Sequence, residues 1–403
     1  MENDDVPLFL RPKLRLFLSA DLVGSTALKQ RQGNPFAKPR QEDAFRDLAP
    51  AWLSPLALLY RGIEAAFLER WDDYENKTAS LFSWPIGSRP AFWKGIGDEV
   101  IYVKTLTDPR EAWACLLAWV SGLQQFRGDL RKVTPDLDIK SAAWLAGFPF
   151  TNTEAAVAHF PDRIAPEEAR LEQELDRSSA QLLHYYRLER LSDDEHENIR
   201  SAFVRDYWGP SIDVGFRVAS KATPRKLTIT ADLAFLLAKT SQPDQSQKKK
   251  MPGTIFDTHC PIRYDGRVEL KGVLGGKPNP LFWLVVISAD DLLSIEDRLL
   301  GFENRKNKAH EDHKEFCDLF IDQSGGYLTH PFIEDDIEER LGSKPTHFDE
   351  RLRNLAERYR EELNRVRQVQ VQEHETDNGS GPEQISDAEV TGFQVVRAHR
   401  PDQ

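Results

Sequence analysis

The Gly97-Asp98 dipeptide does most to constrain the fold of this chain. It lies between residues 91–97 and 100–106, two runs with strand character, and a glycine–acid pair in that setting reads as the turn of a β-hairpin. Upstream, residues 14–20 form a short apolar run that reads as a buried strand, followed by the turn DLVGST. Helical patterning starts near Gln41 and runs, broken by Pro50 and Pro55, to about Trp71, with Leu56, Leu59, Tyr60, Ile63 and Phe67 on one face. Downstream, Asp108 and Pro109 suit the N-cap and first turn of a helix whose stripe is Trp113, Leu116, Leu117, Val120 and Leu123. A strand is expected at 139–150, a helix at 211–221, a strand at 227–230 and a short helix at 231–238, then strands at 268–273 and 281–287. Strand–helix–hairpin–helix–strand–helix–strand is the order of a mixed sheet covered by helices, an α+β plan.

Residues 151–200 are charged and read as a helical insertion, and residues 240–253 as a polar, basic loop. Beyond about Asp290 the chain is strongly charged and helical, giving a C-terminal region at 291–369 with a possible regulatory role. Within it Leu352, Leu355, Tyr359, Leu363 and Val366 form one seam, suited to packing on the body or on a partner. From residue 370 to 403 the composition is that of a disordered tail. His310, His313 and Cys317 lie three and four apart on an expected helix, but the charged surroundings favour a solvated face over a metal site.

Composition narrows the function classes. The 53 Lys+Arg against 65 Asp+Glu leave a formal charge of −12, which disfavours general nucleic-acid or anionic-membrane binding. Three scattered cysteines, Cys115, Cys260 and Cys317, provide neither a disulfide framework nor a CxxC zinc pair. The longest apolar run, at 281–289, is far short of the roughly 20 residues that span a bilayer. MENDDVPLFLRPK lacks the features of a signal peptide, so a cytoplasmic location is expected.

Two acidic residues sit in informative places. Asp21 follows the first strand directly before a Gly-Ser-Thr turn, and Asp98 is in the hairpin turn. If the first strand lies beside the hairpin, both carboxylates reach one spot next to backbone N–H groups able to face phosphate oxygens, the makings of a di-metal nucleotide site.

SADLVGST (19–26) followed by KGIGDEVIY (94–102) resembles the catalytic domain of class III nucleotidyl cyclases. DYWGPSIDVGFR (206–217) is similar to that family's segment carrying a base-contacting Asp, a ribose-positioning Asn and a transition-state Arg. VELKGVLGG (268–276) is similar to its late strand bearing a phosphate-binding Lys. The resemblance covers residues 14–290 and implies a ferredoxin-like core and a head-to-tail homodimer with composite sites. It further implies that Asp21, Asp98 and the Leu22 carbonyl hold two Mg²⁺ or Mn²⁺ ions, and that Gly24, Ser25 and Thr26 cradle the triphosphate. Lys94 and Asp206 would read the base, Arg217 would stabilise the transition state, and Lys271 would bind phosphate. Asp213 takes the place of the ribose-positioning Asn and, with Arg217, completes the implied catalytic pair.

A Lys/Asp pair gives one donor and one acceptor, which adenine, cytosine and uracil can each satisfy; Trp93, Tyr207 and Trp208 flank the pair. As a whole the chain resembles the bacterial pyrimidine cyclases of the Pycsar anti-phage system. That resemblance implies conversion of UTP to 3′,5′-cyclic UMP, a messenger for a separate effector. Cytidylate or adenylate cyclisation, or a non-catalytic nucleotide sensor of the same fold, are the alternatives.

Overall fold

The structure is a computed structural model. It describes residues 6–31, 50, 52–81, 87–158, 168, 171, 177–196, 203–240, 262–287, 291–301, 309–334, 336 and 341–379. The core opens with strand β1 (Lys13–Val23), helix α1 (Ser25–Arg31) and helix α2 (Leu53–Leu81). The hairpin β2 (Ala91–Ile96) and β3 (Glu99–Leu106), helix α3 (Arg110–Val133) and strand β4 (Asp138–Phe148) follow. β1 runs antiparallel to both β3 and β4, and β2 is antiparallel to β3, so these four strands lie in the order β2-β3-β1-β4. This β-α-β-β-α-β arrangement is the ferredoxin-like split unit.

The period of β1 explains its two-sided burial. Leu14, Leu16, Leu18, Ala20 and Leu22 enter the core with Leu59, Ile63 and Phe67 of α2 and Leu116, Trp119 and Leu123 of α3. Phe17 lies on the other face in a second cluster with Trp144, Tyr207 and Ile212. Asp108 is the expected cap of α3 with Pro109 in its first turn; Pro109 takes the cap position instead, and Asp108 just before it accepts the Arg110 N–H at 2.8 Å. The helical patterning expected before residue 50 falls outside the described residues.

The insertion is more than helical. Strand β5 (Thr153–Ala158) precedes helix α4 (Arg177–His196) and pairs antiparallel with β6 (Phe203–Trp208) in a separate two-stranded sheet. TEAAVA is alanine-rich with a single β-branched apolar residue, so its strand character comes from pairing rather than propensity. Helix α5 (Pro210–Ala219), strand β7 (Lys226–Ile229) and helix α6 (Ala231–Thr240) lead back to the main sheet, where β7 is parallel to β4. Strands β8 (Arg263–Val268) and β9 (Asn279–Val285) complete seven strands in the order β2-β3-β1-β4-β7-β9-β8, a mixed sheet covered by helices.

The strand expected at 268–273 is not formed. β8 ends at Val268, and Lys271-Gly272 is a turn with Gly272 at φ +77°. Leu270, Val273 and Leu274 instead bury against Val218 of α5, which accounts for their apolar character. Most of the basic loop, residues 241–253, lies outside the described residues.

Among the described residues three further helices follow: α7 (Asp291–Leu299), α8 (Ala309–Asp322) and α9 (Phe348–Gly379). The solvated face expected around His313 and Cys317 is in fact buried, with His313 edge-on to the Phe282 ring at 5.7 Å. Helix α9 continues to Gly379, ten residues past the expected start of a disordered tail; residues 380–403 lie outside the described residues. Its seam packs within the chain: Leu352, Ala356, Tyr359 and Leu363 join Phe9, Leu10 and the α4 residues Tyr186 and Leu188 in one cluster.

Candidate active site

Two groups of the expected site residues assemble at separate places. The first is at the end of β1. Strand alternation turns Asp21 away from the α2–α3 core, and β1 runs past it to Val23 rather than stopping at the acid. Gly24, at φ +93°, then turns the chain into α1; a side chain there would crowd Leu137 as well as straining the backbone. The hairpin is tied to this turn twice. The Leu22 N–H donates to the Asp98 carbonyl at 3.1 Å, and the Ser25 hydroxyl donates to the Asp98 carboxylate. Thr26 is exposed, whereas Ser25 and the Leu22 side chain are buried.

Each acid is also met by a lysine. Lys140 of β4 reaches Asp21 at 2.9 Å, and Lys29 lies 3.7 Å from Asp98. Glu99, opposite Asp21 in the β1–β3 register, adds a third carboxylate hydrogen-bonded by Ser19. Burial raises the Asp21 carboxyl above its usual range, with Asp98 adding to the rise and Lys140 opposing it. Glu99 is raised for the same reasons, burial first and then the negative charge of Asp21. Ser19, Asp21, Glu99, Lys140, Phe216 and Ser220 line a cavity of about 170 Å³. Among the described residues no three His, Cys, Asp or Glu side chains form a ready-made metal cluster.

The second group surrounds Asp206 on β6. Its Oδ1 accepts the Lys94 ammonium at 2.9 Å, the Trp93 indole N–H at 3.1 Å and the Tyr207 backbone N–H at 2.9 Å. Its Oδ2 accepts the Trp208 indole N–H at 3.3 Å. Partial burial pushes the carboxyl up, but the donors led by Lys94 outweigh it and hold Asp206 below the usual carboxylate range. Lys94 also lies 4.0 Å over the Trp93 ring. Asp206 is therefore an anion that accepts, and Lys94 a cation with donors to spare.

Asp213 and Arg217 lie one turn apart on α5, both exposed, and neither lines the Asp21 cavity. The helix is held close to the sheet because Gly215 sits on Trp144: a Cβ there would come within 2.3 Å of the indole. Asn152 caps its first turn by accepting the Ser211 N–H at 3.0 Å. Asp213 instead borders a separate cavity of about 240 Å³ with Thr230, Asp232 and Gly272. Lys271, exposed in its turn, lines neither cavity. One chain thus unites Asp21 with Asp98 and Lys94 with Asp206, and among the described residues no hydrogen bond or ion pair links Arg217, Asp213 or Lys271 to either pair. Sequence reasoning missed Glu99, Lys140 and the α4 residue His184. Only Glu99, adjacent to Asp98, left a signal that could have been followed.

No family model matches the chain, and no curated protein is similar enough to match. Among solved structures, the chain is similar to the adenylyl cyclase CyaB from P. aeruginosa at 12% identity and a TM-score of 0.36, over 70% of this chain and 97% of that one. It is similar to the guanylyl cyclase Cya2 at 11% identity and a TM-score of 0.34, over 70% and 97%. A bacterial light-regulated adenylyl cyclase gives 9% identity and a TM-score of 0.34, over 72% and 99%. The ferredoxin-like assignment rests on the strand order and register themselves.

Proposed function

We propose that the protein is a nucleotide cyclase that converts UTP to 3′,5′-cyclic UMP and diphosphate. The observation that carries the reading is the meeting of Asp21 and Asp98. They come from different elements, are tied together through Leu22 and Ser25, and are each met by an ammonium group. A place where carboxylates gather lysines, with a third acid beside them, is one that calls for cations.

The donor set suits Mg²⁺ or Mn²⁺, which take carboxylate oxygens together with substrate phosphates and rarely need an all-protein cage. Asp21, Asp98 and the Leu22 carbonyl would hold two such ions. When bound, they lower the pKa of the ribose 3′-hydroxyl and neutralise the leaving diphosphate. The chain's own residues do the rest. Lys94 donates to an acceptor on the base edge and Asp206 accepts from a neighbouring N–H, a pattern that uracil meets with O4 and N3–H. Gly24, Ser25 and Thr26 border the triphosphate. Arg217 meets charge developing on the α-phosphate oxygens, and Asp213 accepts from a ribose hydroxyl. Since Arg217 and Asp213 lie apart from the Asp21 cavity, they would serve the site of a second copy in a head-to-tail homodimer. Lys271 would reach phosphate only from its exposed turn.

The choice of UTP and a role in anti-phage defence, with cyclic UMP acting on a separate effector in the cytoplasm, rest on the sequence resemblance. No helix among the described residues is long and apolar enough to cross a membrane. The test is to incubate the protein with each of the four nucleoside triphosphates and Mn²⁺ and identify products by mass. Cyclic UMP as the main product is the expected result. Cyclic AMP or cyclic CMP would reassign the base, and no product from any substrate would point to a nucleotide sensor.

A further inference from the structure

Beside the Lys94–Asp206 pair lies an aromatic stack contributed partly by the insertion. Trp208 is two residues after Asp206 on β6, so both side chains leave the same face of the strand. The indole is 51% exposed. One of its sides is taken by the His184 imidazole of α4, nearly parallel at 20° with ring centroids 6.1 Å apart. His184 is fixed in turn by the Thr153 hydroxyl, 2.9 Å from its Nε2, and Thr153 is the register partner of Trp208 across the β5–β6 ladder. Trp208 is thus partly exposed and flanked by an offset, near-parallel ring that is itself held in place.

Oδ1 of Asp206 already takes three donors, and among the described residues Oδ2 takes only the Trp208 N–H. That bond, at 3.3 Å, is longer than the usual ~2.9–3.0 Å for N–H···O, so a better-placed donor can displace it. An incoming base that offers an N–H to Asp206 has one oxygen open to it, the one the indole occupies.

We infer that Trp208, backed by His184, is the nucleobase platform, its indole N–H holding Asp206 Oδ2 until a base N–H takes that place and the ring stacks against the indole. This rests on the reading of Lys94 and Asp206 as base readers. It adds that the insertion is part of the substrate site: α4 supplies the back of the platform, and β5 and β6 set its position. Trp208 would touch the base and act on binding, whereas His184 is a positioning residue working through Trp208.

The experiment compares wild type with Trp208→Ala, Trp208→Phe and His184→Ala, measuring equilibrium binding of UTP with Mg²⁺ by calorimetry and the kinetics of cyclisation. Stacking of a base on an aromatic ring predicts a roughly 5- to 150-fold weaker affinity for Trp208→Ala. KM should rise in parallel and kcat stay within about twofold, because the platform lies away from the reacting phosphate. Trp208→Phe keeps a ring and removes the competing N–H, so affinity should return to within about threefold of wild type. His184→Ala should fall between the two. Binding by folded Trp208→Ala equal to wild type overturns the inference. Should Trp208→Ala not fold, quenching of intrinsic fluorescence by UTP decides the matter: Trp208→Phe should lose part of the wild-type quench, and full retention overturns the platform. UTP binding without cyclisation in wild type would defeat the cyclase reading and leave the platform standing. No binding of any nucleoside triphosphate would defeat both.

Discussion

Two lysine–carboxylate pairs in this molecule have similar spacing and opposite character. Lys104 of β3 meets Glu111 of α3 at 2.6 Å, and Lys140 of β4 meets Asp21 of β1 at 2.9 Å. The first is sealed, with both side chains 0% exposed. Lys104 also donates to the Ser88 carbonyl at 2.6 Å and lies 4.6 Å from the Trp71 ring, while Glu111 accepts the backbone N–H groups of Thr107 and Asp108. The second pair is 29% exposed on each side and borders a cavity. There three carboxylates, Asp21, Asp98 and Glu99, face two ammonium groups, Lys140 and Lys29. A pair enclosed by the fold, with bonds to the chain on both sides, holds that fold together. A pair flanked by further carboxylates and by open space leaves its charges where solvent and solutes can meet them.

The largest effect should come from the sealed pair. Lys104→Met leaves Glu111 buried without its counter-charge and should cost about 3–5 kcal/mol in urea denaturation. A loss below about 1 kcal/mol would erase the contrast between the two pairs. Asp21→Asn should do the reverse. Turnover should fall by at least about a hundredfold, while denaturation shows stability unchanged or higher because like charges have been removed. Near-native turnover would defeat the assignment of Asp21 to the metals.

Asp232, at the start of α6, sharpens the comparison because burial dominates it: desolvation raises its carboxyl to about 6 from 3.8, against the hydrogen bond from the Leu233 N–H. The folded state therefore binds this proton more tightly than the unfolded chain does. Stability is favoured below about pH 4 and lost as pH rises toward 6. Asp232→Asn should be more stable than wild type at pH 7–8, by at most about 3 kcal/mol from a shift of some two units, with the gap closing below pH 4. A pH-independent difference in Tm would reject burial as the cause. The smallest effect belongs to Lys140→Gln. It removes a half-exposed competitor for Asp21, so stability should change by less than about 1 kcal/mol and Mn²⁺ should bind a few-fold more tightly by calorimetry. Weaker Mn²⁺ binding would make Lys140 a support of the site rather than a stand-in for its cation.

Much of the core could be read from the sequence because its signals are local. An apolar run marks β1 and alternation marks β3, the Gly97-Asp98 turn joins the hairpin, and the spacing of Trp113, Leu116 and Leu123 marks α3. The convergence of Asp21 and Asp98 follows once β1 lies beside β3, and Lys94 meets Asp206 across two sheets. What escaped depends on register or long-range packing. Nothing near Lys140 in sequence says that it faces Asp21; the pairing of β1 with β4 puts it there. β5 has weak intrinsic strand character and exists because β6 pairs with it. Lys271 looked like a strand residue because Val268, Leu270 and Val273 are apolar, yet they bury through a turn against α5. The α9 seam was visible, but its partner was not, since that partner is α4 in the insertion.

The cluster beneath that seam has a practical consequence. Phe9 from the start of the chain packs edge-on to Tyr359 of α9 at 5.4 Å, and the Tyr359 hydroxyl donates to Glu189 of α4 at 2.6 Å. Beginning, middle and end of the polypeptide are thus stitched into one knot, and the helix at its centre also carries His184. Anyone trimming the C-terminus to obtain a minimal core, or grafting the insertion into another scaffold, would have to move all three strings together or slacken the ring beside Trp208.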